Sequence, residues 1–261
     1  METQVQQPQN NGTPKWLWWV LGGGCVLLMC VAVVVIVALT ILSPTVGKTF
    51  SSISTEIGST PQVNMPDLGQ YPSAKGNTLG DPNAPVKMTE FSDFQCPYCR
   101  RYWQDTEQQV LKNYIQTGKV QFTYRSAGNW VSQNIGQGST ESQDAAMAAY
   151  CAGDQNKFFA YRDTLFNNVL GEDAGSFTPS NLKSFAKSIG LDTNQFNDCL
   201  NNKKYAGQVQ QDYQDAIAGG IQGTPFFIIT YTVNGQTTTA HIDGAQPYAI
   251  FQKALDTALG K

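Results

Sequence analysis

The longest run of apolar positions extends from Leu17 to Leu42, LWWVLGGGCVLLMCVAVVVIVALTIL, and contains no charged residue. A helix rises about 1.5 Å per residue, so a run of this length exceeds the roughly 30 Å hydrocarbon core of a bilayer. A cleaved signal peptide has a shorter apolar region of about 7–15 residues followed by small residues, and ALTILSPTVG offers no such site. The pattern therefore predicts an uncleaved transmembrane anchor over residues 16–42.

The segments on either side of this run have no regular apolar pattern. Residues 1–15 form a short polar tail rich in Gln and Asn, and residues 43–78 are rich in Ser, Thr, Gly and Pro, which is typical of a flexible linker. Lys15 gives a faint positive-inside signal. It predicts a single-pass protein of the cell membrane, with the tail in the cytoplasm and the folded domain, residues 79–261, on the extracytoplasmic side.

From Val86 onward, short apolar runs alternate with segments of helical period, which indicates an α/β fold. Asn234-Gly235 between two strand-like runs predicts a tight hairpin. The predicted strands are Val86–Phe91, Val120–Arg125, Phe226–Val233 and Gln236–Ile242, and the predicted helices are Pro97–Thr117, Thr140–Cys151, Gln155–Asn168, Pro179–Ile189, Thr193–Leu200, Lys204–Ala218 and Pro247–Leu259.

The charge of the chain argues against one class of partner. Seventeen Lys and Arg against 20 Asp and Glu give a formal net charge of −3, and there is no basic run. Nucleic acid is therefore not an expected partner.

Candidate chemistry appears where the first predicted strand becomes a helix, in the sequence Cys96-Pro97-Tyr98-Cys99. Pro97 suits the first position of a helix, which places the Cys96 sulfur near the unpaired N–H groups of the first turn. Those donors and the helix dipole favour a thiolate and lower a cysteine pKa into roughly the 3.5–7.5 range. Cys99 lies one turn further on the same face, so the pair can exchange disulfides.

Two other uses of this thiol pair compete with redox exchange. A zinc site needs four ligands, and the chain has one histidine, His241, and no second C-x-x-C motif. A structural disulfide across so short a loop has little effect on chain entropy. Redox exchange is the favoured interpretation, with no metal site expected, and a metal-handling or binding module is kept as an alternative.

The motifs EFSDFQCPYC (Glu90–Cys99), GTPFFI (223–228) and IDGAQPY (242–248) together resemble the DsbA-like branch of the thioredoxin superfamily, in particular its membrane-anchored bacterial thiol-disulfide oxidoreductases. The resemblance implies a thioredoxin fold with a helical insertion at about 140–201. It also implies that Cys96 is the nucleophile and Cys99 the buried resolving thiol, and that no cofactor beyond this redox-active pair is needed.

The same resemblance implies a cis peptide bond between Thr224 and Pro225, facing the two cysteines. X-Pro is the linkage in which the cis form costs little. Thr224 could then offer its N–H and C=O to an extended substrate. An ordinary trans proline at the start of a strand is the alternative.

Two further residues of the motif are candidates for redox tuning. Family members often carry a buried acid at the position of Glu90, where burial would raise its pKa and allow proton transfer with Cys99; an exposed Glu at the end of a strand is the alternative. The most oxidising relatives carry His where this chain has Tyr98. That substitution leaves the strength of oxidation open, and Tyr98 could instead contact substrate.

Cys151 and Cys199 lie in the predicted helical block. Some relatives join cysteines at comparable places, so a second, structural disulfide is expected, with two buried free thiols as the alternative. Core packing is the default for the aromatic residues near the motifs, Trp103, Phe226 and Phe227, although an apolar substrate surface is possible. A structural role is expected for His241, and a local turn or cap contact for Asp93.

Taken together, the residues and the resemblance predict an extracytoplasmic dithiol oxidase that forms disulfides in unfolded or exported proteins. The family implies re-oxidation by a quinone-linked membrane partner. A disulfide reductase or isomerase of the same fold is the alternative function.

Overall fold

The structure is a computed structural model that describes residues 71, 74–135 and 138–261. Its strands are β1 (Thr78–Leu79), β2 (Val86–Ser92), β3 (Val120–Ser126), β4 (Phe226–Val233) and β5 (Gln236–Asp243). Its helices are α1 (Pro97–Asp105), α2 (Glu107–Val110), α3 (Trp130–Ile135), α4 (Glu141–Gly153), α5 (Phe158–Asn168), α6 (Pro179–Ser188), α7 (Thr193–Asn201), α8 (Ala206–Ala218) and α9 (Tyr248–Ala258), with a π-helical segment at Leu111–Ile115 after α2.

The five strands form one mixed sheet in the order β1-β3-β2-β4-β5. The central strand β2 pairs in parallel with β3 and antiparallel with β4. Val86 and Met88 of β2 are fully buried, because a central strand is covered on its faces. The predicted α/β fold is confirmed, because the described residues form a mixed sheet together with helices. The strand that leads to Cys96 is therefore held on both edges.

The β4–β5 hairpin turns at Asn234 and Gly235, which have φ values of 51° and 77°. A two-residue turn of this type needs positive φ at both positions, and the Asn-Gly sequence tolerates it. On its other edge β4 pairs with β2, and the pairing of Phe226 with Phe91 places the start of β4, directly after Pro225, beside the end of β2.

The helix predicted from Pro97 to about Thr117 is present as consecutive helical segments from Pro97 to Ile115, but it is interrupted at Thr106, which the prediction did not include. Thr106 has φ −120° and ψ −44°, and its buried hydroxyl donates a hydrogen bond to the Gln246 carbonyl, 3.1 Å away. This tertiary contact draws the chain out of helical geometry. It also turns Glu107 into the interior, where 2% of it is exposed.

Six helices, α3 to α8, lie between β3 and β4 among the described residues. The sequence pattern predicted α4 to α8 within a few residues of their bounds, but it treated α3 as a loop and overlooked the two-residue strand β1. The helices α4 to α7 pack around fully buried aromatic residues such as Phe158, Phe159 and Phe196.

No helix among the described residues is long and apolar enough to cross a bilayer. The predicted tail, the anchor over residues 16–42 and nearly all of the predicted linker lie outside the described residues.

Candidate active site

Cys96 is the residue that joins β2 to α1. It occupies the N-cap position with extended φ and ψ of −70° and 120°, and Pro97 follows as the first helical residue. Its backbone N–H donates to the Asp93 carbonyl over 3.1 Å, which closes the turn between strand and helix. The sulfur therefore lies at the positive end of a nine-residue helix.

The pKa of Cys96 is lowered from its ordinary value of 9.0 to about 7. The largest cause is a hydrogen bond from the Cys99 thiol, and the Thr224 side chain and the backbone N–H groups of Cys99 and Tyr98 act in the same direction against burial. Hydrogen bonds to a thiolate favour the charged form. Cys96 is therefore a thiol that is partly ionised at neutral pH.

Cys99 has the opposite environment. Its side chain is fully buried, its sulfur accepts a hydrogen bond from the Asp93 backbone N–H over 3.5 Å, and burial raises its pKa well above the usual value. The charges of Cys96 and Glu90 raise it further. The two thiols thus differ in reactivity, with one poised to ionise and the other kept protonated.

Glu90 lies in β2 and is 2% exposed. Burial, followed by the charge of Glu107, raises its pKa from 4.5 to about 8, while Arg162 and the Ser92 side chain lower it. The carboxyl group is therefore mostly protonated at neutral pH. The structure places Glu90 in the interior rather than at an exposed strand end, in electrostatic contact with Cys99.

The loop before β4 faces the thiols. The Thr224–Pro225 peptide bond is cis, and the Cys96 thiol donates a hydrogen bond to the Thr224 carbonyl over 3.3 Å. Residues 96 and 224 meet because β2 pairs directly with β4. A main-chain acceptor therefore stands beside the more reactive sulfur.

Two grooves open on either side of Tyr98 and Thr224. The α9 groove, of about 930 Å³, is lined by Tyr98, Arg101, Asp105, Thr106, Gln109, Gln222, Gly223, Thr224, Asp243, Gly244, Ala245, Gln246, Pro247 and Tyr248. The insertion groove, of about 380 Å³, is lined by Cys96, Pro97, Tyr98, Trp130, Val131, Asn134, Glu172, Gly223 and Thr224. Tyr98 is 55% exposed between them, and the Arg101 guanidinium lies 4.9 Å from its ring centre.

A buried polar network fastens the strand-to-helix junction to the helices that follow β3. The Asp93 carboxylate accepts hydrogen bonds from the Gln95 N–H, the Val131 N–H and the Ser142 hydroxyl over 2.7–2.9 Å. Burial nevertheless raises the pKa of Asp93 to about 6. The contact with Gln95 is the expected local turn, but those with α3 and α4 extend beyond it.

A second buried cluster is ionic and joins α1 and α2 to α5. The fully buried Arg162 guanidinium donates to both carboxylate oxygens of Glu107 over 2.8 and 2.5 Å. It also donates to Asp163 and to the Tyr71 hydroxyl, each over 2.9 Å. The Trp103 indole N–H donates to Asp163 over 2.8 Å.

The remaining candidate residues make structural contacts. Cys151 and Cys199 form a disulfide that joins α4 to α7. Phe226 and Phe227 are buried in the core, and Trp103 is half-buried and stacks on Phe166. His241 is exposed on β5 with its ring edge-on to Phe226.

Sequence reasoning overlooked Gln95, Arg162, Glu107 and Tyr71, and it gave no role to Glu172. For Gln95, the position directly before Cys96 was an available signal. For Arg162 and Glu107 the sequence contains no such signal, because each residue looks like a charge on the exposed face of a helix. Among the described residues, no group of three or more His, Cys, Asp or Glu side chains could hold a metal ion.

Fold and site together define a class: a protein with a thioredoxin fold and a pair of cysteines at the start of its first helix. The family model described as Thioredoxin matches residues 73–257, which is well over half of the chain. The chain belongs to the thioredoxin family.

Individual relatives agree with this class. The chain is 29% identical over 186 residues to the probable disulfide bond formation protein D of Bacillus cereus, covering 70% of this chain and 79% of that protein. It is 28% identical over 162 residues to the Na(+)/H(+) antiporter NhaA 1 of Salinispora arenicola, covering 62% of this chain but 22% of the antiporter. The chain thus spans about a fifth of the antiporter's length. The crystal structure of Wolbachia pipientis alpha-DsbA1 matches with 25% identity and a TM-score of 0.60, covering 72% of this chain and 92% of that one.

Proposed function

We propose that this protein is a thiol-disulfide oxidoreductase that works as a dithiol oxidase through the Cys96–Cys99 pair. One observation carries the exchange chemistry: Cys96, whose pKa is lowered to about 7, occupies the N-cap position of a helix beside a buried thiol whose pKa is raised. The relatives named as disulfide bond formation proteins support the oxidising direction. A thiolate stabilised at the attacked position favours the reduced pair, and a stabilised reduced pair makes the disulfide a better oxidant.

The reaction begins from the Cys96–Cys99 disulfide. A substrate thiolate attacks the Cys96 sulfur and forms a mixed disulfide, and Cys99 leaves as a thiolate with the electron pair of the broken bond. A second substrate thiolate then attacks the substrate sulfur of the mixed disulfide and releases Cys96 as a thiolate. The substrate has lost two electrons and gained a disulfide, and the enzyme holds two reduced sulfurs.

Glu90 supplies the proton that this reaction needs in the interior. With a pKa of about 8, Glu90 is protonated at neutral pH, and the pKa of Cys99 is higher still. A proton therefore moves favourably from Glu90 to the departing Cys99 sulfur, which would otherwise be a buried anion. The reaction uses no metal or organic cofactor.

The substrates we propose are thiols of unfolded or exported proteins, bound as an extended segment along Thr224. The Cys151–Cys199 disulfide supports an oxidising, extracytoplasmic location, and the charge-free segment over 16–42 supports a membrane tether. Re-oxidation by a quinone-linked membrane partner completes the cycle. Protease accessibility of an epitope-tagged domain in intact and permeabilised cells tests the location.

A reductase is the second candidate, because a cysteine pKa of about 7 equals the value typical of thioredoxin, whereas that of DsbA is about 3.5. Equilibration with glutathione buffers separates the two functions. An oxidase should have a potential well above the roughly −270 mV of thioredoxin, towards the −120 mV or so of DsbA. A potential at or below about −270 mV contradicts the oxidase proposal. Cys96→Ser should abolish both dithiol oxidation and insulin reduction, and unchanged activity in that variant contradicts any thiol mechanism.

A further inference from the structure

The insertion groove, which opens directly beside the Cys96 sulfur, has an unbalanced charge. Of the described residues that line it, Glu172 alone is an acidic or basic residue apart from the redox thiol Cys96 itself. Glu172 is exposed to solvent. The α9 groove on the other side of Tyr98 has both signs of charge, with Arg101 beside Asp105 and Asp243. The two grooves therefore present different electrostatics to a substrate chain that crosses Cys96.

The loop that carries Glu172 is held against the active site. The next residue, Asp173, donates its backbone N–H to the Gln95 side-chain oxygen. Its carboxylate accepts from the Gln95 amide over 3.1 Å and from the Ser132 hydroxyl over 2.9 Å. Gln95 is buried and directly precedes Cys96. The backbone next to Glu172 is thus held beside the segment that carries the reacting sulfur.

The walls of the groove could contact both the aliphatic part and the cationic head of a Lys or Arg side chain. Half-buried Trp130 lines it together with Val131 and the Pro97 ring, and Asn134 adds an exposed amide. Lys and Arg place an apolar stem against such a surface while the head stays in water. An indole face also attracts a cation.

We propose that the insertion groove is a specificity subsite for a Lys or Arg side chain that flanks the reacting cysteine of an extended substrate segment. Glu172 is the charge partner, and Trp130 is the aromatic wall. The inference rests on the proposed function, since it names the substrate class of the same thiols. An exposed ion pair contributes little, so the expected preference is modest, about threefold in kcat/KM, and it should weaken with added salt.

The test uses the oxidised protein, with glutathione disulfide as the terminal oxidant, and a series of unstructured peptides, each with two cysteines. The positions one and two residues before and after the first cysteine are varied among Lys, Gln and Glu. Wild-type protein should oxidise the best-placed Lys peptide about threefold faster in kcat/KM than the Gln peptide. Glu172→Gln should remove this ratio, and Glu172→Lys should reverse it in favour of the Glu peptide. Asp198→Asn, which removes one exposed acid from α7 outside both grooves, is the control and should keep the wild-type ratio.

The outcomes separate the subsite from the function on which it rests. Peptide oxidation with no Lys preference at any position overturns the subsite and leaves the oxidase intact. If Glu172→Gln and Asp198→Asn reduce the Lys preference equally, the preference reflects the net charge of the protein, and this result also overturns the subsite. If no peptide is oxidised faster than with Cys96→Ser protein, the oxidase and the subsite are both wrong.

Discussion

At the scale of the residue, the site consists of two chemically identical thiols that their surroundings make different. Cys96 lies at the start of a helix, where the Cys99 thiol lowers its pKa, whereas Cys99 is fully buried and the charge of Glu90 helps to raise its pKa. The difference in pKa sets the order of events, because the sulfur that ionises more easily is the one that attacks and is attacked. The asymmetry depends on a few contacts that can be removed individually.

The first prediction concerns the hydrogen bond between the two thiols. Because it is the largest cause of the lowered Cys96 pKa, Cys99→Ala should raise the Cys96 pKa from about 7 towards the ordinary value of 9.0. The pH dependence of iodoacetamide alkylation measures it. In the Cys96→Ala control, the remaining Cys99 thiol should not react in this pH range. If the Cys96 pKa is unchanged in Cys99→Ala, the cause of the lowered pKa is the start of α1 and not the Cys99 thiol.

The second prediction concerns the buried acid Glu90. Its folded-state pKa of about 8 lies above its usual 4.5, so unfolding releases a proton between these pH values and wild-type stability falls as pH rises through them. The Glu90→Gln variant has no carboxyl group at this position, so it does not show this fall in the free energy of unfolding. Its stability advantage over wild type should therefore grow from pH 4.5 to 8 and then level off, at on the order of a few kcal/mol.

Urea unfolding of the reduced protein at several pH values measures this difference. Asp198→Asn, which removes an exposed carboxyl group, should differ from wild type by an amount that changes little over the same range. A Glu90→Gln difference that does not depend on pH would mean that Glu90 is ionised in the folded protein. Glu90→Gln should also slow the release of Cys99 from the disulfide about 10²-fold or more, because it cannot donate the carboxyl proton.

At the scale of the element, α1 is held by groups that lie far apart in the sequence. Thr106 interrupts the helix by bonding to Gln246, and Glu107 then meets Arg162 of α5. On the other side, Gln95 binds Ser132, Ser142 and Asp173. The helix that carries both thiols is thus fixed to the helices inserted between β3 and β4.

The third prediction tests the ionic part of this attachment. Arg162→Met keeps an unbranched side chain of similar length but leaves the buried Glu107 carboxylate without its cationic partner. Removing one member of a buried ion pair costs about 3–5 kcal/mol, and urea unfolding should report a loss of this size. Lys204→Met breaks the exposed pair with Asp154 and should change stability little. Equal effects of the two substitutions would contradict the structural role of the buried cluster.

At the scale of the whole molecule, the disulfide between Cys151 and Cys199 crosses the helices that follow β3, and it closes a loop with a sequence separation of 48 residues. Cross-linking a loop of this length lowers the entropy of the unfolded chain and stabilises the folded one by about 4 kcal/mol on the chain-entropy model.

The fourth prediction follows from this loop length. Replacing both cysteines by alanine should lower the free energy of unfolding by about 4 kcal/mol, as measured by urea denaturation of the oxidised protein. The potential of the Cys96–Cys99 pair, measured against glutathione, should stay the same, because the Cys151–Cys199 disulfide joins α4 to α7 and neither helix carries a redox thiol. A shift in that potential would show that the disulfide also shapes the active site.

Local sequence determined much of this protein. Alternating apolar positions specified β2 and β3, Asn234-Gly235 specified the hairpin turn, and Pro97 specified the start of the helix at the thiols. These features depend on backbone preferences within a few residues, and such preferences follow directly from the residue types. The motifs around Glu90–Cys99, Thr224–Pro225 and Gln246 carried the family resemblance.

Only the tertiary structure decided how those residues behave. Whether Glu90 was an exposed strand end or a buried acid stayed open until β3 and β4 enclosed it. The break at Thr106 and the pairing of Gln95 with Asp173, 78 residues away, leave no local mark in the sequence. A pKa depends on desolvation and on neighbouring charges, and in this protein both come from segments that the fold brings together from distant parts of the chain.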